Sequence, residues 1–497
     1  MVKIIEAYQN LQSAQEALKL IAESVGEPER LSIIGPGQSQ ITDKSRFNKP
    51  WLWGVALGAV VGFALPGGGH LLLAGHLARA VAMHALGVTA KGIIAGAATG
   101  GTVDLLRRLG FDRRSALEAA EAVAQGRYAI ALDGDWVTMQ RARIALGVRR
   151  SPDPHLFEMV HRYGYEYQSF LSLYGGMESW TSRDPEAAVV YRRVGRVAVV
   201  AAAPLAARGD LLEVTRRFLD FCARQKLDCL MLPVGSEYAA IARSCGMALL
   251  QVGESGYFKL PEWRPAGDRA KKVRAGVNQA ARAGVRVEPY DPSQCRDQRA
   301  RAEIEEICQA WVNTREVDAL GWLLELDPFH LSENKRYFLA RRADGKLEGM
   351  LVCSPIYARD GWYLEDLIRR PGAERGVSEL LIVEALKRLA AEGAGLATLG
   401  TSPLAGVEPQ GPFKQTSRLL KLIYERLDAF YHFKALHRFK AKFAPSFVDP
   451  EYVAIYPPRI RLRMALAVIG AFDPAGFTGV MASKLRRIWR QTRPRSE

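Results

Sequence analysis

The chain has 497 residues, 48% of them hydrophobic, and 68 Lys and Arg against 53 Asp and Glu, a formal net charge of +15. That length suggests about three domains with ample cores, and the basic excess points to acidic partners, either nucleic acid or an anionic membrane surface. Cys222, Cys229, Cys245, Cys295, Cys308 and Cys353 form no CxxC pair and the eight histidines no HExxH, which argues against a metal site or a disulfide framework and fits a reducing cytoplasm.

The opening "MVKIIEAYQNLQ" has no apolar h-region, so no secretory signal is expected. Residues 1–35 read as strand, helix, strand: "VKIIEAY", "LQSAQEALKLIAESV" and "RLSIIGP". Residues 113–147 repeat the grammar, with the helix "DRRSALEAAEAVAQG", the strand "RYAIALD" and a second helix "DWVTMQRARIAL". Together they predict a small ferredoxin-like domain over residues 1–150. Between them, residues 51–103 form an apolar insert. Gly54, Gly58 and Gly62 are four apart, as are Gly92, Gly96 and Gly100, which puts glycines on one stripe of each helix and lets helices approach closely. The first apolar run, 51–66, falls short of the ~20 residues that span a bilayer. A helical hairpin that dips into or lies on a membrane is the favoured reading. A buried hairpin, a homo-oligomer contact and a two-pass hairpin are the alternatives.

Residues 155–260 alternate strands and helices, from "VVYRRVGRVAVVAAAP" through "DLLEVTRRFLDFCARQK", "LDCLMLPV" and "SEYAAIARSCG" to "MALLQVGESGYFKL". A basic helix follows over 268–284, where Lys271, Lys272, Arg274 and Arg282 oppose a single carboxylate, Asp268, at the end the helix dipole favours for an anion. Residues 285–457 alternate again: a helix "EIEEICQAWVNTR", strands turning at Asp344-Gly345, a helix "GVSELLIVEALKRLAAEG" and a strand "LATLGTSPL". Two units of similar size and order, 155–267 and 285–457, suggest a duplicated α/β fold. The last segment, 458–497, holds nine Lys or Arg among apolar runs and suits an anionic membrane surface or bulk solvent.

In "WYLEDLIRR", period-two alternation places Trp362, Leu364, Asp366 and Ile368 on one face and Tyr363, Glu365, Leu367 and Arg369 on the other. Acidic groups inside an apolar strand require partners; Arg369 or Arg370 would form a buried ion pair, or Asp366 would act on a hydroxyl with Arg369 on a phosphate. The turn "RRPGAERGVSELL" leads into a helix N-terminus, a natural anion site, where acetyltransferases of the GNAT superfamily hold the pyrophosphate of coenzyme A. Thr401 and Ser402 are small hydroxyl residues at a strand end. In "FYHFKALHRFKAKFAPSF" (430–447), Phe433, Leu436, Phe439 and Phe443 fall on one helical face and Lys434, Arg438 and Lys442 on the other. Lys440 projects within the apolar arc, so it either snorkels to the edge or lines an anion cavity.

Taken in order, these motifs resemble the C-terminal catalytic module of the aminoacyl-phosphatidylglycerol synthases, the phosphatidylglycerol lysyltransferase or multiple peptide resistance factor family, over about residues 155–457. "KKVRAGVNQAARAGVRVE" resembles the family's basic helix joining two GNAT-like folds. "YLEDLIRR" is similar to its strand ending Asp-Leu-Met-Arg. "LATLGTSPLAGV" resembles its Asn-Leu-Gly-x-x-Pro-Leu segment. The Phe-x-x-Leu-x-x-Phe-Lys-x-Lys-Phe-x-Pro signature matches 433–445 and carries over Lys440 and Lys442. The resemblance implies tandem GNAT-like α/β folds and transfer of an aminoacyl group from charged tRNA to phosphatidylglycerol or a related anionic lipid, on the cytoplasmic face of a membrane. It implies catalytic roles for Asp366, Arg369 and Lys440; substrate contacts from Glu365, Thr401, Ser402, Lys442, His437 and Arg438; tRNA contacts from Lys271, Lys272, Arg274 and Arg282; and no cofactor beyond the aminoacyl-tRNA donor. Two departures stand out. The large polytopic flippase domain of the best-known members is not seen in these residues, and "AAAPLAARGD" stands where the first unit would carry Gly-Asp-Pro. Residues 1–147 resemble a small general-stress-protein domain with a Gly-rich insert. The rival expectations are a coenzyme-A-dependent N-acyltransferase and a non-catalytic membrane-associated stress protein.

Overall fold

The computed structural model describes residues 2–25, 30–35, 38–41, 119, 122, 126–133, 138, 142, 153–174, 177–292, 298–314, 326, 328–407, 433–461, 463, 464 and 467. They fall in two units, one within 1–150 and one within 151–472. The Gly-rich insert 51–103, with its expected membrane or oligomer contact, and the tail beyond 467 lie outside the described residues.

The N-terminal unit contains β1 (Val2–Tyr8), α1 (Leu11–Val25), β2 (Arg30–Gly35), β3 (Gln38–Ile41) and β4 (Tyr128–Asp133). The Asn10 side chain starts α1 by accepting the Ser13 N–H at 2.8 Å. Ala14, Ala17 and Ile21 form the buried stripe of α1, against Ile130 and Leu132 of β4. The sheet order is β1-β4-β2-β3 with antiparallel neighbours, so β1 and β2 run parallel with β4 between them, a split βαβ unit. It departs from the ferredoxin-like expectation in one respect. The hairpin strand β3 lies on the outer edge, and β4 fills the gap.

The large unit opens with α2 (Pro154–Tyr163) and a 3₁₀ turn (Ser169–Leu173). Its first half is β5 (Glu178–Arg183), β6 (Glu186–Val194), β7 (Val197–Ala201), β8 (Leu205–Ala206), α3 (Leu211–Arg224), β9 (Asp228–Val234), α4 (Ser236–Ser244) and β10 (Ala248–Lys259). α5 (Lys271–Arg282) leads to the second half: β11 (Arg286–Tyr290), α6 (Gln298–Thr314), β12 (Arg336–Arg341), β13 (Leu347–Ile356), β14 (Gly361–Arg369), α7 (Val377–Ala391), β15 (Leu396–Pro403), α8 (Phe433–Ala441) and β16 (Phe447–Tyr456).

One sheet runs through both halves in the order β11-β12-β13-β14-β15-β10-β16-β9-β7-β6-β5, with β8 paired to β6. From β12 to β5 the pattern reads the same from either end. Each half has one parallel pair, β7 with β9 and β14 with β15, connected by a crossover helix as parallel pairing requires. The duplication expected from the sequence is therefore present as two α/β halves of matching strand order. The sequence reading missed that their last strands are exchanged. β10, which ends the first half, pairs with β15 of the second, and β16 returns to pair with β9 of the first. The cores follow the exchange: Phe258 of β10 sits among Leu364, Leu381 and Phe443, while Ala454 of β16 sits among Tyr191, Phe218 and Met231.

Two surface expectations are corrected. Leu436, placed on the apolar face of α8, is 39% exposed, whereas Phe443 is fully buried. The start of the basic tail is folded down: Arg461 and Arg463 both bond the buried carboxylate of Asp228, and Met464 and Ala467 belong to a core. A charge buried with two guanidinium partners is satisfied, so these two arginines tie the segment after β16 to β9.

α5 crosses the N-terminus of α7 where Gly276 meets Gly376. A Cβ on Gly376 would run into the Gly276 carbonyl, and its φ of +89° is itself left-handed. Gly376→Ala is thus expected to destabilise the large unit by about 3 kcal/mol or more from combined backbone strain and overpacking. Gly372→Ala, with φ +75° but nothing within 4 Å, should cost about 1 kcal/mol. Urea midpoints of the two variants check the difference.

Candidate active site

The parallel pairing of β14 and β15 covers only Gly361–Tyr363 against Leu396–Thr398, after which the strands part. Glu365 is the extra residue of a bulge: Val352 faces Asp366 and Cys353 faces Leu364. The bulge breaks the alternation expected from the sequence. Trp362, Leu364 and Leu367 pack on the same core, and Asp366 leaves the face of Leu364 and Trp362. On β15, Gly400 has φ +71°, and an added Cβ would meet Tyr363 Cε2 at 2.7 Å. Only glycine lets the Tyr363 ring lie against that strand.

Lys440 reaches this fork from α8. Its Nζ donates to the carbonyls of Leu399 (2.7 Å), Gly400 (3.1 Å) and Thr401 (2.6 Å), three successive groups just beyond the last β14–β15 pair. Burial pushes the ammonium down to about 8, and Glu451 opposes that shift. The three carbonyls further hold the charge in place. Lys440 therefore neither snorkels nor lines an anion cavity. An ammonium has three donors, and all three are taken.

Next to it is a buried polar network that the sequence reading did not find. The Glu451 carboxylate of β16 accepts from Thr401 Oγ1 at 2.7 Å and from Ser255 Oγ, and Tyr167 Oη lies 2.5 Å from Thr401 Oγ1. Burial raises Glu451 to about 7, with Ser255 and Thr401 pulling it down. Tyr363, whose ring lies 4.7 Å from that of Tyr167, is the shared neighbour: burial and the charges of Glu365, Asp366 and Glu451 all raise its hydroxyl. The usable clue was a lone Glu in the otherwise alternating strand "FVDPEYVAIY".

The structure brings some expected residues together and disperses others. Asp366, Glu365, Thr401 and Lys440 meet around Tyr363, and Ser402 is buried beside them. Glu365 accepts from Ser354 and lies 3.3 Å from the fully buried ammonium of Lys335, which donates to Tyr174 Oη at 2.9 Å. Arg369 is exposed at the strand end and forms no ion pair among the described residues, and Arg370 pairs with Glu306 at 2.5 Å. Among the described residues, no ion pair of Asp366 with Arg369 or Arg370 is formed. His437 Nδ1 sits 3.4 Å from Glu254, and Arg438 is exposed. Lys442, expected in solvent or on substrate, pairs with Glu379 of α7 at 2.6 Å. Lys271, Lys272 and Arg282 are exposed on α5, whereas Arg274 donates to the carbonyls of Pro265 (3.1 Å) and Gly267 (2.7 Å). The turn before α7, read as an anion site, is covered by the α5 crossing, and Glu348 already accepts the Glu374 N–H at 3.0 Å.

Comparison with known proteins assigns the large unit to a family. The profile of the family described as "Phosphatidylglycerol lysyltransferase, C-terminal" matches residues 157–455. The chain belongs to this family. It is 22% identical to a phosphatidylglycerol lysyltransferase of Bacillus subtilis and 21% to one of Staphylococcus aureus, over 304 residues each, 61% and 60% of this chain but 35% of each relative. The chain thus spans about a third of the length of these curated relatives. The crystal structure of the C-terminal domain of a putative lysylphosphatidylglycerol synthetase from Agrobacterium fabrum has a TM-score of 0.54 at 20% identity, covering 64% of this chain and 94% of that one. The L-PGS structure from Bacillus licheniformis also gives 0.54, at 18% identity, covering 65% and 98%. The family fold thus coincides with the exchanged-strand unit.

Two outcomes follow from these contacts. Lys440→Met strands three carbonyls and is expected to cost about 3 kcal/mol or more in urea unfolding, against roughly 0.5 kcal/mol or less for Arg438→Met on the exposed face. Glu451, raised to about 7, and Glu166, raised to about 8 by burial and by Glu451, keep their protons in the folded chain where the unfolded chain has lost them. Folding therefore takes up protons between about pH 4.5 and 8, and the contribution of these groups falls as pH rises through that window. Thermal unfolding across this range should show that decline, and Glu451→Gln should make it roughly half as steep.

Proposed function

We propose that the large unit moves an aminoacyl group from charged tRNA to a hydroxyl of phosphatidylglycerol or a related anionic lipid, at the cytoplasmic surface of a membrane. Family membership supports the reaction class, and the observation that carries the reading is the parted β14–β15 pair with Asp366 and Tyr363 on one side and the Thr401–Glu451–Lys440 network on the other. The reaction exchanges one ester for another. The lipid hydroxyl oxygen attacks the aminoacyl carbonyl, the ribose oxygen leaves, and the proton passes from the first oxygen to the second. The ester arrives already activated, so positioning and a proton acceptor do most of the work.

Asp366, half-buried on the fork wall, is assigned to orient the hydroxyl and hold its proton. Arg369, exposed at the end of the same strand, is assigned to the lipid phosphate. Lys440 has no donor left for substrate and is reassigned as a positioning residue that fixes the carbonyls of β15. Exposed Lys271, Lys272 and Arg282 on α5 offer a basic face to the tRNA backbone. Among the described residues no helix is long and apolar enough to cross a membrane, and a peripheral attachment suits that observation. The coenzyme-A reading is weakened because α5 and two carboxylates, Glu348 and Glu379, occupy the turn and first helical turn where a pyrophosphate would sit.

The test is an assay with labelled aminoacyl-tRNA and phosphatidylglycerol vesicles. Asp366→Ala should lower transfer by about a hundredfold or more. Lys271→Glu/Lys272→Glu/Arg282→Glu should raise KM for tRNA by roughly tenfold and flatten its salt dependence. Parent-like transfer by Asp366→Ala would remove it from the site, and tight acetyl-CoA binding without any aminoacyl transfer would overturn the reading as a whole.

A further inference from the structure

A pocket of about 260 Å³ opens in the first half of the large unit, beyond the ends of β7 and β9. Ala203, Pro204 and Ala206, from the "AAAPLAARGD" stretch, form part of its wall, and Glu166 and Ser169 also line it. We infer that this pocket binds a small primary-ammonium compound, no larger than an amino acid, with Glu166 as its counter-ion.

The argument is one of charge accounting. Glu166 is 6% exposed. One carboxylate oxygen accepts the Gly235 N–H at 3.1 Å, and no side-chain donor among the described residues meets the carboxylate. The cations around the pocket are already engaged. Arg162 holds Glu158 and Glu186, each at 2.9 Å. Arg208 holds Glu237 at 3.2 Å and lies over the Tyr165 ring at 4.4 Å. Arg359 is held between the rings of Tyr165 and Tyr257, at 4.8 and 4.4 Å, and its charge acts on Glu166 from there. Behind Glu166, on β16, are Glu451 and Asp449, which make its surroundings more negative. Gly235 permits that crowding, since a Cβ there would lie 2.7 Å from Asp449 Oδ2 and 3.5 Å from Glu166 Oε1. Burial raises the Tyr257 and Tyr238 hydroxyls nearby, Glu166 adds to both shifts, and both stay neutral.

A buried carboxylate in a negative field with room beside it calls for a cation that also donates hydrogen bonds. A primary ammonium does both, with the Ser169 hydroxyl and the Tyr163 and Tyr165 rings as its remaining surroundings. Burial raises Glu166 to about 8, so an arriving ammonium displaces its proton, and affinity rises with pH up to that point.

The experiment is calorimetric titration of the full chain, free of tRNA and lipid, with ethanolamine and 5-aminopentanol as probes. Tetramethylammonium and glycerol 3-phosphate serve as contrasts. The expected result is binding of the two amines, stronger by roughly tenfold per pH unit between about pH 6 and 7.5, with proton release seen in buffers of different ionisation heat. Glu166→Gln should weaken binding by roughly thirtyfold and remove its pH dependence. Ala203→Leu, which takes up pocket volume and leaves Glu166 in place, should also abolish binding. Amine binding unchanged in Glu166→Gln, preference for tetramethylammonium or glycerol 3-phosphate, or no heat with either amine would each overturn the inference. Because no transfer is measured, these results are independent of those that test the aminoacyl-transfer reading.

Discussion

A parallel strand pair that separates partway along its length leaves backbone carbonyls pointing at nothing, and inside a protein that is expensive. Lys440 resolves this at the β14–β15 fork by giving one donor to each of three successive carbonyls. The β15 backbone past the last β14–β15 pair is thus satisfied by a buried charge. Lys442, two residues on, completes the attachment of α8 by pairing with Glu379 on α7. The conspicuous lysines of this helix act on the scaffold, and through it on the fork.

The second constraint is the exchange of β10 and β16. Each half of the large unit takes its final strand from the other, so neither half has a complete core alone. The Glu451 network is a product of that exchange. Its carboxylate comes from β16, its hydroxyl partners from β10 and β15, and Tyr167 from the segment before β5. A site assembled from both halves is rigid as long as the sheet is continuous, which is how a reaction that depends on positioning is best served.

Charge is sorted by depth. Exposed cations on α5 face outward, whereas Glu166, Glu451 and Asp449 cluster inside near Gly235 and the centre of the sheet. The interior around the strand ends is acidic, and burial raises the Glu166 and Glu451 carboxyls there.

Much of the architecture was legible along the chain. Continuous apolar runs such as "LDCLMLPV" and helical runs such as "DLLEVTRRFLDFCARQK" appear as the buried β9 and as α3, and their repeated order announced two similar folds, because local pattern reports which faces are buried. The apolar-arc position of Lys440 was likewise readable, and so was the clustering of Asp366 with Thr401 through ordered motifs. What the ammonium does there was not: its partners are carbonyls some forty residues away, and backbone groups leave no mark in a sequence. The bulge at Glu365, which turns Asp366 to the other face, and the exchange of β10 with β16 depend on pairings between distant strands, as does the meeting of Glu166 with Glu451. Residue order and pattern alone determined the elements and the family. Only the folded chain decided which charges are satisfied and which remain open, because that depends on through-space neighbours.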